Sequence, residues 1–262
     1  MKPHFTRLLL LAAIATVGMA LPSSGQPAKP EPSPAKRPAT PPDLPKPTSH
    51  TLKKIEGWTV RIDDRLLNGP DVAPGTHALR TLEAKLADIK VVVPADKIEK
   101  FQAVTIVMDQ SHGKLGSMQY HPSAGWLKEN GFSPDLAKCV HIPRASQLPT
   151  KRNIREQPWV ILHELAHAYH DQVLGFEEPR VKEAFEAYQR SGRGEKTLLH
   201  DGRRVKHYAL TNHKEFFAEM TESYFGVNDF FPFNRAELKE SEPEIEALMA
   251  HIWDSPIPSR KP

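Results

Sequence analysis

Ten prolines fall between residues 22 and 47, and they divide the chain in two. Proline locks φ and lacks an amide hydrogen. The residues between these prolines are mostly Ala, Lys, Ser and Thr, with almost nothing large and apolar. Such a stretch cannot bury enough surface to offset the entropy of ordering, and it favours extended polyproline II conformations. Residues 21–50 therefore read as a spacer. On the same composition they could instead serve as a ligand for a proline-recognising module or as an envelope attachment. The core has to come from the roughly 212 residues that follow, enough for one sizeable domain over 51–262.

Ahead of the spacer, residues 1–20 carry Lys2 and Arg7, a short apolar run and the small-residue site Gly18-Met19-Ala20. That is the pattern of a secretory signal peptide, with a single N-terminal anchor helix as the alternative. The apolar run is shorter than an ordinary membrane span. An exported protein, secreted or periplasmic and with no span left after signal cleavage, is the expectation. Cys139 is the single cysteine, so no intramolecular disulfide can form and the core must hold the fold. The formal net charge of +3 is concentrated in the leader and spacer, leaving the remainder near −1. With no basic stripe interleaved with aromatics, nucleic acid is not an expected partner.

Within the folded part, residues 57–67 alternate β-branched and aromatic residues with polar ones, as a first strand would. Leu79, Leu82, Leu86 and Ile89 recur at helical spacing over 76–89. Short strand candidates follow at 103–108, 116–120 and 139–142. Three helices are expected after them, at 158–174 ending before Gly175, 212–225 ending before Gly226, and 236–253. The expectation is an α+β fold, a small mixed sheet followed by a helical C-terminal part.

The chemistry-bearing stretch is His163-Glu164-Leu165-Ala166-His167, an HExxH motif inside the 158–174 helix. At about 100° per residue, Ile161, Leu162, Leu165, Ala166, Ala168, Tyr169 and Val173 share one face. His163, Glu164, His167, His170 and Asp171 share the other. That polar face could simply meet water. Two imidazoles one turn apart can also reach a single zinc ion, with Glu164 beside it where it can hold a water.

A catalytic zinc site takes three protein ligands and keeps one position open. The extended HExxHxxGxxH arrangement is absent, because His170 and Val173 stand at its last two positions. A third donor must come from farther on. Glu215, Glu219 and Glu222 lie at i, i+4 and i+7 on one face of the 212–225 helix, with Phe216, Phe217, Met220 and Tyr224 opposite. Three like charges on one stripe repel, and a cation would relieve them. Alternatively, Glu215 closes a capping box with Asn212 and the other two are merely solvated.

HELAHAYHD, followed at a distance by YALTNHKEFFAE, resembles the catalytic domain of the anthrax lethal factor-like metallopeptidases, a group that includes secreted Pro-Pro endopeptidases. The resemblance covers about residues 103–225 and is strongest in those two blocks. It implies a zincin-like fold and zinc ligands His163, His167 and Glu215. It further implies Glu164 as general base, Tyr208 as a donor to the developing oxyanion, and Glu219 as a carboxylate that orients a ligand histidine. The alternative for Tyr208 is a plain loop-packing residue. Zn²⁺ is thus the expected cofactor, and a peptide or protein the expected substrate of a monomeric endopeptidase. A non-catalytic zinc-stabilised binding module is the alternative. Substrate is expected to lie along the sheet edge formed by 116–120. His121, His170, His207 and His213 are left outside the ligand set.

Overall fold

The computed structural model describes residues 43–256. The proposed leader and most of the proline-rich tract lie outside the described residues. In chain order the elements are β1 (His50–Ile55), β2 (Trp58–Asp63), α1 (Val72–Val92), α2 (Ala95–Gln102), β3 (Ile106–Met108), β4 (Gln119–Tyr120), α3 (Ala124–Glu129) and β5 (Val140–Ile142). Then come α4 (Val160–Tyr169), α5 (Pro179–Ser191), β6 (Thr197–Leu198), β7 (Arg204–Val205), α6 (His213–Phe225), α7 (Arg235–Ser241) and α8 (Pro243–Trp253).

Five strands form one mixed sheet in the order β1-β2-β3-β5-β4. The β2–β3 and β3–β5 pairs are parallel, while β1–β2 and β5–β4 are antiparallel. The architecture is thus mixed α+β with a small mixed sheet, and β4 sits at an edge. β1 was not foreseen. Its four central residues are exposed, so it carries no apolar alternation to read. It pairs with β2 through a tight turn at Glu56 (φ 50°) and Gly57 (φ 98°), and Gln102 Nε2 donates to the Glu56 carbonyl at 2.9 Å.

β2 also ends earlier than its sequence pattern implies. The Asp63 carboxylate accepts the Arg65 amide at 3.0 Å and turns the chain into a short 3₁₀ segment. The spacer composition likewise runs past the point where chain contacts begin. Leu44 exchanges two backbone hydrogen bonds with Gly113, at 3.1 and 3.0 Å, and Ser111 Oγ donates to the Pro45 carbonyl at 2.6 Å.

The sheet has two unequal faces. Trp58, Val60, Ile62, Ile106, Met108, Val140 and Ile142 point into the main core, which the helices cover. Val107 faces the other way, into a small cluster with Leu115, Leu127, Leu136 and Cys139. α4 lies across the main core, burying Ile161, Leu162, Leu165 and Ala168, and packs directly on α6. Each of its large aliphatic side chains contributes on the order of 1.5–3 kcal/mol by leaving water.

Beyond Tyr169 the helix widens into a π-helical turn, His170–Leu174, and Gly175 (φ 84°) ends it. The expected single helix over 236–253 is two. Pro243 lacks the amide hydrogen a continuous helix needs, so Glu242 leaves helical geometry (φ −138°, ψ 58°) and α8 starts afresh. No helix among the described residues is long and apolar enough to cross a membrane.

Candidate metal centre

α4 and α6 bring their polar residues together beside the sheet edge. His163 and His167, one turn apart on α4, place their Nε2 atoms 3.1 Å from each other. Glu215, in the first turn of α6, puts Oε2 at 3.2 Å from His163 Nε2 and 3.3 Å from His167 Nε2. Donors about 2.0–2.1 Å from a tetrahedral metal stand roughly 3.3 Å apart. The three atoms therefore already have the spacing of one face of such a site, and the group could hold a metal ion.

The local sequence explains why Glu215 arrives there. Asn212 Oδ1 accepts the amides of Lys214 and Glu215 at 2.9 and 3.0 Å, capping α6 and setting its first turn. The cap therefore exists, but the Glu215 carboxylate is turned to the two imidazoles. At the other end, Gly226 accommodates the Trp159 indole, atoms of which lie 2.2–2.4 Å from where a Cβ would be. The start of α4 and the end of α6 are thereby held in close register.

The partner of His163 Nδ1 differs from the residue the resemblance named. Glu222 Oε1 lies 2.7 Å from Nδ1, whereas Glu219 Oε1 stands at 3.7 Å. Glu219 is instead held by Asn228, whose Nδ2 donates to its carbonyl at 2.7 Å and to its Oε2 at 3.1 Å. A signal for this was present: the i+7 residue lies only about 20° around a helix from residue i, against about 40° for i+4. Asn228 and Asp229 come from the turn after α6 and carried no motif. Asp229 receives Gln157 Nε2 at 3.2 Å.

Electrostatics favour a cation here. Burial raises the carboxyls of Glu219 and Glu222, and the charge of Glu222 raises Glu219 further. For Glu215 burial acts in the same direction, yet hydrogen bonds to His163 and His167 outweigh it and hold the acid below its usual range. Burial opposes a proton on His163, but Glu215 and Glu222 outweigh it and keep the ring protonated well above its ordinary range. His167 is shifted down, chiefly by burial. Three acids and two imidazoles are thus gathered where their charged forms repel or lose water, and a divalent ion would stabilise those forms together. The residues fit a metal.

Glu164 is buried, and its Oε2 accepts the Tyr120 backbone amide of β4 at 2.7 Å. Burial raises its carboxyl to about 7. The Tyr120 hydroxyl donates to Asp171 Oδ2 at 2.6 Å, so both ends of Tyr120 tie the sheet edge to α4 and the π-helical turn that follows it. Tyr208 precedes α6 and is 47% exposed. Burial raises its hydroxyl pKa, with the Glu215 charge adding to the shift, so it remains an O–H donor at neutral pH. His163, His167, Glu164, Glu215 and Tyr208 all line one cleft of ≈ 1040 Å³.

The four excluded histidines are elsewhere. His170 packs among Phe176, Phe217 and His213, and His213 Nε2 donates to the Phe176 carbonyl at 2.8 Å. His207 Nδ1 accepts the Ala209 amide at 3.1 Å. His121 lies against His141. No family model, no curated protein and no solved structure matches this chain.

Proposed function

We propose that the chain is an exported, zinc-dependent endopeptidase of the zincin-like type, with His163, His167 and Glu215 as the zinc ligands. The observation that carries this reading is the meeting of those three donors from α4 and α6 in one cleft with Glu164 and Tyr208. A purely structural metal site needs neither a base nor an oxyanion donor. Zinc bound there would supply a Lewis acid, drawing electron density from a peptide carbonyl and acidifying water.

The chain's own residues supply the remaining steps. The Tyr120 amide engages Glu164 Oε2, leaving Oε1 to take a proton from the attacking water and deliver it to the departing amine. Burial, which raises this carboxyl, helps it hand the proton on, while a bound cation would draw it back toward the ionised form that accepts one. Tyr208, still protonated, donates to the oxyanion as it develops. Glu222 fixes the orientation of His163 through Nδ1. The edge strand β4 offers its open side to an extended peptide, which would carry the scissile bond past Glu164.

Cleavage of a diverse peptide library, read together with metal content, tests the reading. Glu215→Ala should lose one equivalent of zinc. Glu164→Gln should keep it and lower kcat by about 10²–10⁴-fold. A zinc-loaded protein that cleaves no member of the library would overturn the peptidase and favour a zinc-stabilised binding module.

A further inference from the structure

A second group of metal-ligating side chains lies on the opposite face of the sheet, remote in sequence from the HExxH motif. Asp109, just past β3, is fully buried. Its Oδ1 lies 2.7 Å from His50 Nε2, and its Oδ2 lies 2.7 Å from His112 Nδ1 and 2.8 Å from His141 Nε2. His141 Nδ1 in turn stands 3.2 Å from His121 Nε2. Val140 and Ile142 face the main core, so strand alternation turns His141 to the other side, toward the small cluster around Val107. None of these four histidines, nor Asp109, lines the cleft.

Hydrogen bonding alone explains the pairing but not the expense of the arrangement. Burying a carboxylate with several imidazoles costs more than filling the same space with apolar side chains. His112 Nε2, on the ring edge away from Asp109, is also buried with no hydrogen-bond partner, a further cost of holding the ring here. The region has a need that an ion would meet. Residues 109–138 hold a two-residue strand and a six-residue helix over a core of only a few side chains. Small cores of this kind are commonly cross-linked by metal.

We propose that Asp109, His112 and His141 form a second and purely structural site for a zinc-class divalent cation, with His50 holding the other oxygen of Asp109. Imidazole-rich donor sets prefer late first-row ions over magnesium or calcium. The site lies outside the cleft that holds Glu164 and Tyr208, which separates it from a catalytic one. An ion would replace the protons now shared between ring nitrogens and carboxylate, among three donor atoms that already lie within 4.8 Å of one another. His121 would orient His141 through Nδ1. His50, with its side chain 17% exposed, marks the way in. The bound ion would join β3, the loop after β3, and β5, with β1 tied in through His50 and Asp109.

The experiment uses full-length protein carrying His163→Ala and His167→Ala, which disables the cleft site, so its outcome does not depend on the peptidase reading. After incubation with zinc and removal of excess, this protein should retain one equivalent, and EDTA should remove it and lower Tm. Adding His50→Gln, at a partly exposed strand end where folding is least at risk, should weaken zinc affinity by about tenfold or more. Adding His112→Gln as well should abolish retention. A cleft-disabled protein that retains no zinc and shows no EDTA effect on Tm overturns the proposal. Unchanged affinity in the His50→Gln and His112→Gln variants does so equally.

Discussion

At the scale of single residues, the contact that most repays attention is the one between His163 and Glu222. Metal-ligating imidazoles are held by a partner on their second nitrogen, and loss of that partner typically costs 10–100-fold in metal affinity. Glu222→Gln is therefore expected to weaken zinc binding by about that factor. Glu219→Gln, at 3.7 Å from the same nitrogen, should weaken it less. A competition titration with a chelating dye measures both, and the reverse order would return the role to Glu219. Tyr208 makes the opposite kind of prediction. Under the proposed mechanism, Tyr208→Phe should leave zinc affinity unchanged and lower kcat about a hundredfold, because its hydroxyl serves the transition state alone.

Two elements set the geometry of the centre, and each has a weak point that can be probed without touching a proposed ligand. α6 begins at Asn212, whose side chain satisfies two amides of the first turn. Asn212→Ala should cost about 1 kcal/mol of stability and, by loosening the turn that carries Glu215, reduce zinc affinity. Its other end meets α4 where Gly226 lies under Trp159. A methyl group there has no room beside a rigid indole, so Gly226→Ala should destabilise by about 1–3 kcal/mol, read as a lower denaturation midpoint. If this variant is as stable as wild type, the α4–α6 contact is looser than described. The division between α7 and α8 arises as locally as these two features, from the single residue Pro243.

For the molecule as a whole, buried neutral histidines predict a marked sensitivity to acid. Burial pushes His170 and His207 down to about 3 from an ordinary value of 6.5. The unfolded chain thus takes up these protons first as pH falls. Their contribution is fully present above about pH 6.5 and is lost progressively down to about pH 3. Each costs about 1.4 kcal/mol per pH unit within that window. Urea unfolding of EDTA-treated protein at several pH values between 7 and 4 should show stability falling as the medium is acidified. A His170→Leu variant should show a shallower decline, and an identical decline would remove His170 from this account.

Short-range pattern was enough to locate α4 and α6, the caps and stops around them, the three inner strand segments and the HExxH face. Helical periodicity, alternation and capping act within a few residues, and that information is written along the chain. Tertiary structure alone decided which nitrogen meets which carboxylate. His163 and Glu222 are 59 residues apart, as are His50 and Asp109. Both pairs depend on how whole elements pack, the first on α4 against α6 and the second on the strand order that sets β1 and β3 either side of β2. β1 and α3 were illegible for a different reason, the weakness of their local pattern. β1 exposes its central residues and α3 is only six residues long, so neither carries much periodic signal. By contrast, α2 and α5 do carry apolar stripes at helical spacing, Ile98 and Phe101 in the one and Val181, Phe185 and Tyr188 in the other, and went unforeseen.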